Sequence, residues 1–366
     1  MTLSRRGFIR SAAVAAGGLT AAATTMTPAF AQRRSRVRWN MPTSWPQGLL
    51  LQDSATMFAQ KVAELTDGEF EIRVRPAGEL VPPLEVFGAV QAGTVECGHS
   101  WSAYLIGQNA ALMLEAGIPF GLTAEQHAAW LRDAGGAEML DEVFSRFNVK
   151  SFLVGDIGGQ MMGWFNKEIN SLEDVRGLRL RIAGLGGQIF QDVGVSVQLI
   201  PVGEMLAGLE RGVIDGAAGG TPTDNVRLGL HRVAKYWYYP GWNSPSAAMS
   251  CYVNRDAWAA LPDDFRQAFE IAAVATHSAH VTHCQEADRR TIASLHVNNP
   301  EIEFRALPDD VMDAVERAAY RHYERFAEEQ ADFRRIFPEW QRFTAEIRAL
   351  QDMTVHPLNA HRLRSS

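Results

Sequence analysis

Two spacings of hydrophobic residues alternate along the first part of the chain. Val37–Asn40 and Phe70–Val74 have the pattern of strands, and Leu50–Leu65 carries apolar residues at helical spacing. A helix that ends near Gln91 and a strand at Thr94–His99 complete a β, α, β, α, β order. This order predicts a mostly parallel sheet with helices on both faces.

The same order recurs after residue 150. Strands are predicted at Lys150–Val154, Met161–Phe165, Leu178–Ile182, Val197–Ile200 and Val213–Asp215, with helices at Gly187–Val193 and Glu204–Arg211. The segment Ala89–Glu96 matches Gly208–Asp215, because in both a helix ends on a glycine suited to a left-handed cap and a strand ending in an acid follows. The repeat predicts two similarly built lobes.

The last third is mainly helical. Long helical patterns run through Asp263–His283 and Asp309–Leu350, with breaks predicted at Asn298–Pro300 and Pro338. The final helix could lie across both lobes or reach a second subunit. His277, His280 and His283 share one predicted helix. They have the spacing of a zinc pair but no convincing further ligand, which favours surface histidines.

The first residues have the order of an export signal. Ser4–Arg10 contains a paired arginine, Ser11–Thr25 is weakly apolar, and Pro28–Ala31 ends in an Ala-x-Ala cleavage motif. This pattern predicts a twin-arginine signal peptide over residues 1–31 and a periplasmic location. No later segment has the roughly 20 uninterrupted apolar residues of a membrane span.

Length and charge narrow the class of protein. The chain after residue 31 is longer than one core usually serves, so we predict lobe I at 32–154, lobe II at 155–243, a return to lobe I with the hinge at 244–308, and C-terminal helices at 309–366. Removing the three arginines of residues 1–31 takes the net charge from −7 to −10, which argues against nucleic acid or an anionic membrane as partner. Three cysteines are too few for a disulfide framework, although one bridge is possible, and we expect isolated buried thiols.

Motifs for catalysis are missing from the sequence. There is no Gly-x-Ser-x-Gly elbow, and no glycine-rich stretch has the ending of a phosphate loop. Gly184–Gly187 follows a strand but lacks the third spaced glycine of a dinucleotide site. The sequence therefore favours a binding protein over an enzyme.

Two arginines give the strongest indication of a ligand. Arg179 and Arg181 share one face of a predicted strand, opposite to Leu178, Leu180 and Ile182. Arg181 comes just before a glycine turn, at the carboxyl end where parallel sheets present ligand residues. A guanidinium there would hold a carboxylate by two parallel hydrogen bonds. The alternative is a surface arginine or an internal salt bridge.

Several ordered segments carry a resemblance to a known family. They are Gly158–Phe165, Ser171–Gly184, Pro201–Gly216 and Tyr238–Trp242. With them the chain, from about Val37 to the C-terminal helices, resembles the solute-binding proteins of tripartite ATP-independent periplasmic (TRAP) transporters. The similarity is greatest to the branch that binds 2-oxo acids and related monocarboxylates.

The resemblance implies a two-lobed α/β periplasmic binding protein fold, with two mixed sheets, hinge strands and long C-terminal helices. The lobes would close over a small organic acid and deliver it to membrane subunits driven by an ion gradient, and a homodimer is possible. A periplasmic sensory binding protein is the alternative with the same fold. The resemblance gives the carboxylate to Arg181, with Gln160 on the same lobe and Tyr104 and Trp101 on the other. Trp45 would wall the site or only pack in the core.

The sequence departs from that branch at two places. Ala218 and Gly219 stand where the branch has Glu and Trp, and Ser244 stands where it has a second acid. Those acids help the branch to hold a metal ion that bridges to the ligand, so no metal cofactor is expected here. The lost volume makes a larger or differently shaped acid plausible, with polar contacts from Asn243, Ser244, Thr221 and Asp224.

Overall fold

The computed structural model describes residues 36–365, so the predicted signal peptide 1–31 lies outside the described residues. Eleven strands are found within this range. They are β1 Val37–Pro42, β2 Phe70–Arg75, β3 Cys97–Ser100, β4 Val149–Asp156, β5 Gly163–Phe165, β6 Arg179–Arg181, β7 Ser196–Gln198, β8 Gly216–Ala217, β9 Tyr236–Tyr239, β10 Ala248–Asn254 and β11 Glu303–Ala306.

Thirteen α-helices connect these strands or pack beside them in the described range. They are α1 Leu50–Leu65, α2 Val86–Gln91, α3 Met113–Ala116, α4 Ala124–Asp133, α5 Gly136–Ser145, α6 Leu172–Val175, α7 Leu185–Asp192, α8 Met205–Glu210, α9 Pro222–Arg227, α10 Arg255–Ala260, α11 Asp263–Asn298, α12 Asp309–Glu329 and α13 Ala331–Ser365. No helix among these residues is both long and apolar enough to cross a bilayer.

The first lobe has a two-stranded and a three-stranded sheet joined by a single bridge, and the second lobe has one six-stranded sheet. In the first, β1 and β2 are parallel, a bridge between Thr43 and His99 connects β1 to β3, and β10 runs antiparallel between β3 and β4. The second has the order β11-β9-β5-β8-β6-β7, with β5 antiparallel to both neighbours. The strands of each lobe therefore run parallel except for one, β10 in the first lobe and β5 in the second, which refines the prediction of a mostly parallel sheet.

The two antiparallel strands arise where the chain passes between the lobes. It leaves the first lobe after β4 to enter β5, and it returns from β9 to β10. Because β4 neighbours β10 and β5 neighbours β9, residues 157–162 and 240–247 run side by side as hinge connections. The Ile157 amide donates to the Ala247 carbonyl at 3.3 Å, and the Gly241 amide to the Gln160 carbonyl at 3.0 Å.

The predicted internal repeat is present in its helix and glycine but not in its strand. Val213–Asp215 is not a strand, since β8 begins at Gly216, and β3 likewise begins at Cys97, after Glu96. Gly93 after α2 has a φ of 69°, and Gly212 after α8 has a φ of 63°. Glycine adopts these left-handed φ values at little conformational cost, and both helices end there, as the sequence indicates. One boundary differs from the predicted organisation. The 244–308 segment was assigned to lobe I and the hinge, but its last strand β11 pairs with β9 in the sheet of the second lobe.

Two other expectations need correction, whereas the expectation of buried, unbridged thiols is met. His277 and His280 are buried and not on the surface, at 4% and 0% exposure. Pro338 does not break the last helix, because α13 continues through it and the break falls at Gln330. The aromatic residues around Pro338 pack against α12, with Phe337 at 5.1 Å from Tyr323 between ring centroids. This packing outweighs the roughly 3 kcal/mol that an internal proline costs a helix. Cys97, Cys251 and Cys284 are buried free thiols.

Candidate functional site

A small cavity lies between the two lobes, beside the hinge connections. It measures about 30 Å³ and is lined from both lobes and the hinge. Its polar and aromatic lining comprises Trp45, Trp101, Tyr104, Gln160, Arg181, Asn243 and Ser244. All the site residues predicted from the sequence are among them except Thr221 and Asp224. The apolar lining of Leu51, Ile157, Val202, Ala247 and Met249 was not anticipated, since nothing in the local sequence separates it from core.

Arg181 is the charged group of this cavity. It ends β6 and is 1% exposed. Its Nε donates to the Ile200 carbonyl at 2.9 Å, and its Nη1 donates to the Ala218 carbonyl at 2.6 Å. Nη2 is buried without a hydrogen-bond partner, and no ion pair of Arg181 is found within residues 36–365. The guanidinium therefore has N–H groups, and a full positive charge, left for a ligand.

The second arginine of the strand behaves differently. Arg179 is half exposed and grips Asp215 through Nε at 3.0 Å and Nη2 at 2.8 Å. This pairing holds the pKa of the Asp215 carboxyl well below its usual range. The alternative of a salt-bridged arginine thus applies to Arg179 and not to Arg181.

Three aromatic side chains from the first lobe form one wall. Trp101 meets Tyr104 edge to face at a centroid distance of 5.6 Å, and Tyr104 lies 6.2 Å from Trp45. Burial raises the pKa of the Tyr104 hydroxyl, and the adjacent Arg181 charge opposes this rise. Tyr104 therefore stays protonated and can donate a hydrogen bond to an anion.

Trp45 is held in place by a hydrogen bond to His99. Its indole N–H donates to Nδ1 of His99 at 2.9 Å, and Nε2 of His99 lies 2.9 Å from the Ser54 hydroxyl. Burial lowers the pKa of His99 to about 3, so the ring is neutral and Nδ1 remains an acceptor. The wall is thus fixed by a histidine that does not itself line the cavity.

The hinge connections contribute the neutral polar groups. The backbone N–H of Gln160 donates to the backbone carbonyl of Ser244 at 3.2 Å, and this bond joins the two connections at the cavity. Asn243 is 9% exposed, and its Oδ1 has no hydrogen-bond partner. A buried amide oxygen of this kind calls for a donor, which a ligand hydroxyl or amine, or a water, would supply.

Thr221 and Asp224 lie outside the cavity lining. The Thr221 hydroxyl accepts from the Asp224 amide at 3.0 Å and caps α9. Asp224 is buried, and its carboxylate accepts from the amides of Leu50 at 2.6 Å and Leu51 at 3.2 Å, at the start of α1. Both residues therefore cap helix N-termini, Thr221 that of α9 and Asp224 that of α1.

The departure at residues 218 and 219 changes the shape of the arginine pocket. Gly219 has a φ of 126°, and a Cβ on it would lie 2.5 Å from Nη1 of Arg181. The guanidinium thus fills space that a side chain at 219 would need. Together with the apolar lining, this explains why the loss of Glu and Trp has not produced a large cavity.

The oxygen donors of the cavity fit a calcium ion poorly. Side-chain oxygens come from Gln160, Asn243, Ser244 and Tyr104, all uncharged, and no carboxylate is among the lining residues. Calcium takes six to eight oxygen ligands and is held in proteins mainly with carboxylates. The buried charge of Arg181 would also repel a cation.

The chain is similar to proteins of a known family over most of its length. The sequence profile described as bacterial extracellular solute-binding protein, family 7, matches residues 41–330. The chain belongs to this family. Its family 7 relative from Nostoc sp. (strain PCC 7120), a monocarboxylate 2-oxoacid-binding periplasmic protein, is 38% identical over 347 residues, which are 94% of this chain and 95% of the relative.

Solved structures of family 7 proteins support the assignment. A TRAP transporter solute-binding protein from Bordetella bronchiseptica RB50 has a TM-score of 0.87 and 38% identity, covering 90% of this chain and 98% of that one. It is a mixed occupancy dimer, with calcium and picolinate in one active site and an apo second site. A TRAP protein from Colwellia psychrerythraea with calcium and pyruvate has a TM-score of 0.86 and 30% identity, over 89% and 99% of the chains.

Family membership decides several predictions. The two-lobed fold, the TRAP-type solute-binding class and the extracytoplasmic location are confirmed. So is the prediction that this family 7 protein is a transporter component and not an enzyme. The roles of individual cavity residues stay predictions.

Proposed function

We propose that this chain captures a small monocarboxylate, of the 2-oxo-acid type, between its lobes. The observation that carries the proposal is Arg181, a buried guanidinium with an unpartnered Nη2 and no carboxylate beside it in the described range. A buried charge without a counter-ion is costly, so the site is built for an anion that the protein itself does not supply. The small cavity favours a ligand of a few heavy atoms over a larger acid.

In this proposal, each cavity residue contacts a different part of the ligand. Arg181 meets the carboxylate with the N–H groups that remain after its bonds to the Ile200 and Ala218 carbonyls. Tyr104 and Gln160 donate to the remaining oxygens, and Asn243 accepts or donates at the far side of the ligand. Trp45 and Trp101 exclude water, which strengthens each of these interactions. Ser244 offers one more neutral contact, and Thr221 acts through the loop that it caps.

The loaded protein would deliver its acid to the two membrane subunits of a TRAP transporter. Its similarity over 90% of the chain to a TRAP transporter solute-binding protein supports this destination over a sensory receptor. A homodimer, as in that relative, and removal of residues 1–31 as an export signal belong to the same proposal.

We further propose that the acid binds without a bridging metal. The relatives from Bordetella and Colwellia hold calcium with their ligands. In this chain, however, Ala218 and Ser244 replace the acids expected for such an ion, and the cavity lining contains no carboxylate. Charge compensation then falls to Arg181 alone.

A thermal-shift screen tests both proposals. Pyruvate, its longer 2-oxo homologues, picolinate and neutral amides are added to the purified protein, in a chelator and in millimolar calcium. A ligand at 100 times its dissociation constant should stabilise the protein by about 2.7 kcal/mol. We expect 2-oxo monocarboxylates to raise the unfolding midpoint equally in both buffers. A response to none of the acids would refute the function, and a response that requires calcium would refute the metal-free site alone.

A further inference from the structure

A second cavity lies in the first lobe, apart from the ligand cavity. It measures about 590 Å³ and shares no lining residue with the ligand site. Residues of α3, α4, α5, β4 and α11 surround it. Its floor is polar, because Glu115 of α3 and Ser151 of β4 face it.

Glu115 has no ion-pair partner among residues 36–365. It is 6% exposed, and its Oε2 has no hydrogen-bond partner. No Lys or Arg forms an ion pair with Glu115 within residues 36–365. Lys150 and Arg132 line the same cavity, but Lys150 lies 4.0 Å from Asp141. A buried carboxylate in this position needs a cation or a proton.

Hydroxyl groups gather around this carboxylate from one face of the three-stranded sheet. Ser250 and Tyr252 alternate along β10, and Tyr252 pairs with Ser151 across to β4. Ser102, in the turn after β3, lies near Glu115, as do Ser151 and Ser250. The O–H groups of these serines favour the ionised carboxylate and oppose the rise in the pKa of Glu115 that burial causes. The oxygens of all four side chains are buried without a hydrogen-bond partner. Buried polar groups in native proteins are rarely left unpaired, so a clustered set marks a missing occupant.

The chemistry of the cluster selects the class of occupant. All five groups present oxygen, which hard cations prefer, and none presents nitrogen or sulfur. The cluster contains a single carboxylate, so one positive charge is neutralised and a second would remain uncompensated in the interior. Calcium and magnesium sites use more carboxylates or several waters. We propose that Glu115, Ser102, Ser151, Ser250 and Tyr252 form a binding site for a monovalent cation such as sodium.

Thermal unfolding of the ligand-free protein tests the site. The protein is heated at pH 8 and constant ionic strength, in sodium chloride or in choline chloride. Burial raises the pKa of Glu115 to about 7, so at pH 8 the proton competes little with the cation. We expect sodium at concentrations well above its dissociation constant to raise the midpoint by about 2–4 °C over choline.

A matched pair of variants assigns the effect to the cluster. Glu138→Gln removes the same charge from the rim of the cavity and should retain the sodium response. Glu115→Gln should lose the sodium response. If Glu115→Gln does not fold, Ser250→Ala takes its place and should weaken the sodium response. An equal response to sodium and choline in the wild type, or a full response in Glu115→Gln, overturns the proposal.

Crystals grown with thallium acetate give an independent reading. Thallium(I) scatters anomalously and replaces small monovalent cations, so a peak is expected beside Oε2 of Glu115. The absence of a peak there, with water-like density among the hydroxyls, overturns the cation site and leaves a buried water cluster. Because the two cavities share no residue, neither result affects the proposed organic-acid function.

Discussion

Arg181 is the residue to which we assign the ligand carboxylate, and its position is fixed before any ligand binds. Its Nε and Nη1 are held by the carbonyls of Ile200 and Ala218, which fix the plane of the guanidinium before any ligand arrives. The residual charge is then presented at a fixed place. Pre-organisation of this kind lowers the entropy cost of binding, since the ligand does not have to order the arginine.

Replacing Arg181 by Lys should weaken binding of the acid by about 1.5–3 kcal/mol, because an ammonium cannot satisfy both carbonyls and the carboxylate in one plane. Isothermal calorimetry measures the loss. Arg179→Lys is the matched control, since Arg179 lies on the same strand but pairs with Asp215. Equal affinities for the wild type and Arg181→Lys would remove Arg181 from the site.

Residue parity in the sequence places Arg179 and Arg181 on one face of a strand but leaves a surface or salt-bridged arginine open. The family resemblance singles out Arg181, and neither argument could predict its partners. Ile200 and Ala218 follow β7 and β8, and they meet Arg181 only because β6 lies between these strands. The same holds for His280, whose Nε2 lies 2.9 Å from the Leu50 carbonyl, 230 residues away in sequence. Burial of such polar residues depends on long-range packing, which local periodicity does not record.

At the scale of elements, α1 illustrates what local pattern does determine. The predicted helix Leu50–Leu65 has the observed bounds, because its apolar stripe and the Asp67-Gly68 stop are both local signals. Its N-cap residue, Leu49, offers no capping side chain. The cap comes instead from Asp224, which no local signal identifies.

Asp224 should make the stability of the protein depend on pH. Burial raises its pKa to about 7, against the opposing N–H donors of Leu50 and Leu51. An unfolded Asp titrates near 3.9, so between about pH 4 and 7 the folded state binds more protons. The free energy of unfolding contributed by this group therefore falls as pH rises through that range. Asp224→Asn should flatten the dependence of the unfolding free energy on pH between pH 5 and 8. Urea titrations at a series of pH values measure it.

The control for this effect is Asp53→Asn, which removes an acid from the first turn of the same helix. That variant should keep the slope of the wild type. Asp224→Ala should in addition lose about 0.5–2 kcal/mol of unfolding free energy, the usual range for a lost N-cap. If Asp224→Asn and the wild type have parallel pH profiles, the carboxyl does not titrate in this window.

At the scale of the whole molecule, the structure has the features of a closed state. Gly184 and Gly203 allow the lobes to approach, because they lie across the cleft from Ala103 and Pro46. A Cβ on Gly184 would lie 3.1 Å from Ala103 Cβ, and one on Gly203 would lie 2.9 Å from Pro46 Cγ. Arg227 also donates to the Gly48 carbonyl at 2.8 Å. The ligand cavity is small because these contacts bring the lobes together.

Gly203→Val should therefore hold the lobes apart and weaken ligand binding, while leaving the folded lobes intact. X-ray scattering of the wild type should show a smaller radius of gyration with saturating acid than without it, and this change should shrink in the variant. Gly88→Ala is the control, since a Cβ there meets nothing within 4 Å. An unchanged affinity in Gly203→Val would show that closure tolerates the added side chain.

The end of α13 indicates how two copies of the chain would associate. Beyond Arg348, which still donates to the Phe120 carbonyl, the helix carries apolar side chains that the rest of the chain leaves exposed. Leu350, Met353, Leu358 and Leu363 are 50%, 75%, 49% and 80% exposed. An isolated helical segment of this length is marginal in water and gains stability by burying such a face, which a second copy would do. Truncation after Ala349 should convert a dimer to a monomer in sedimentation at micromolar concentration. The organic-acid affinity should not change, because no residue after 349 lines the ligand cavity.

Met353→Glu with Leu358→Glu, in the full-length chain, should also convert the dimer to a monomer, through charge repulsion. A full-length protein that sediments as a monomer, or a truncated one that remains dimeric, would place the interface elsewhere or abolish it.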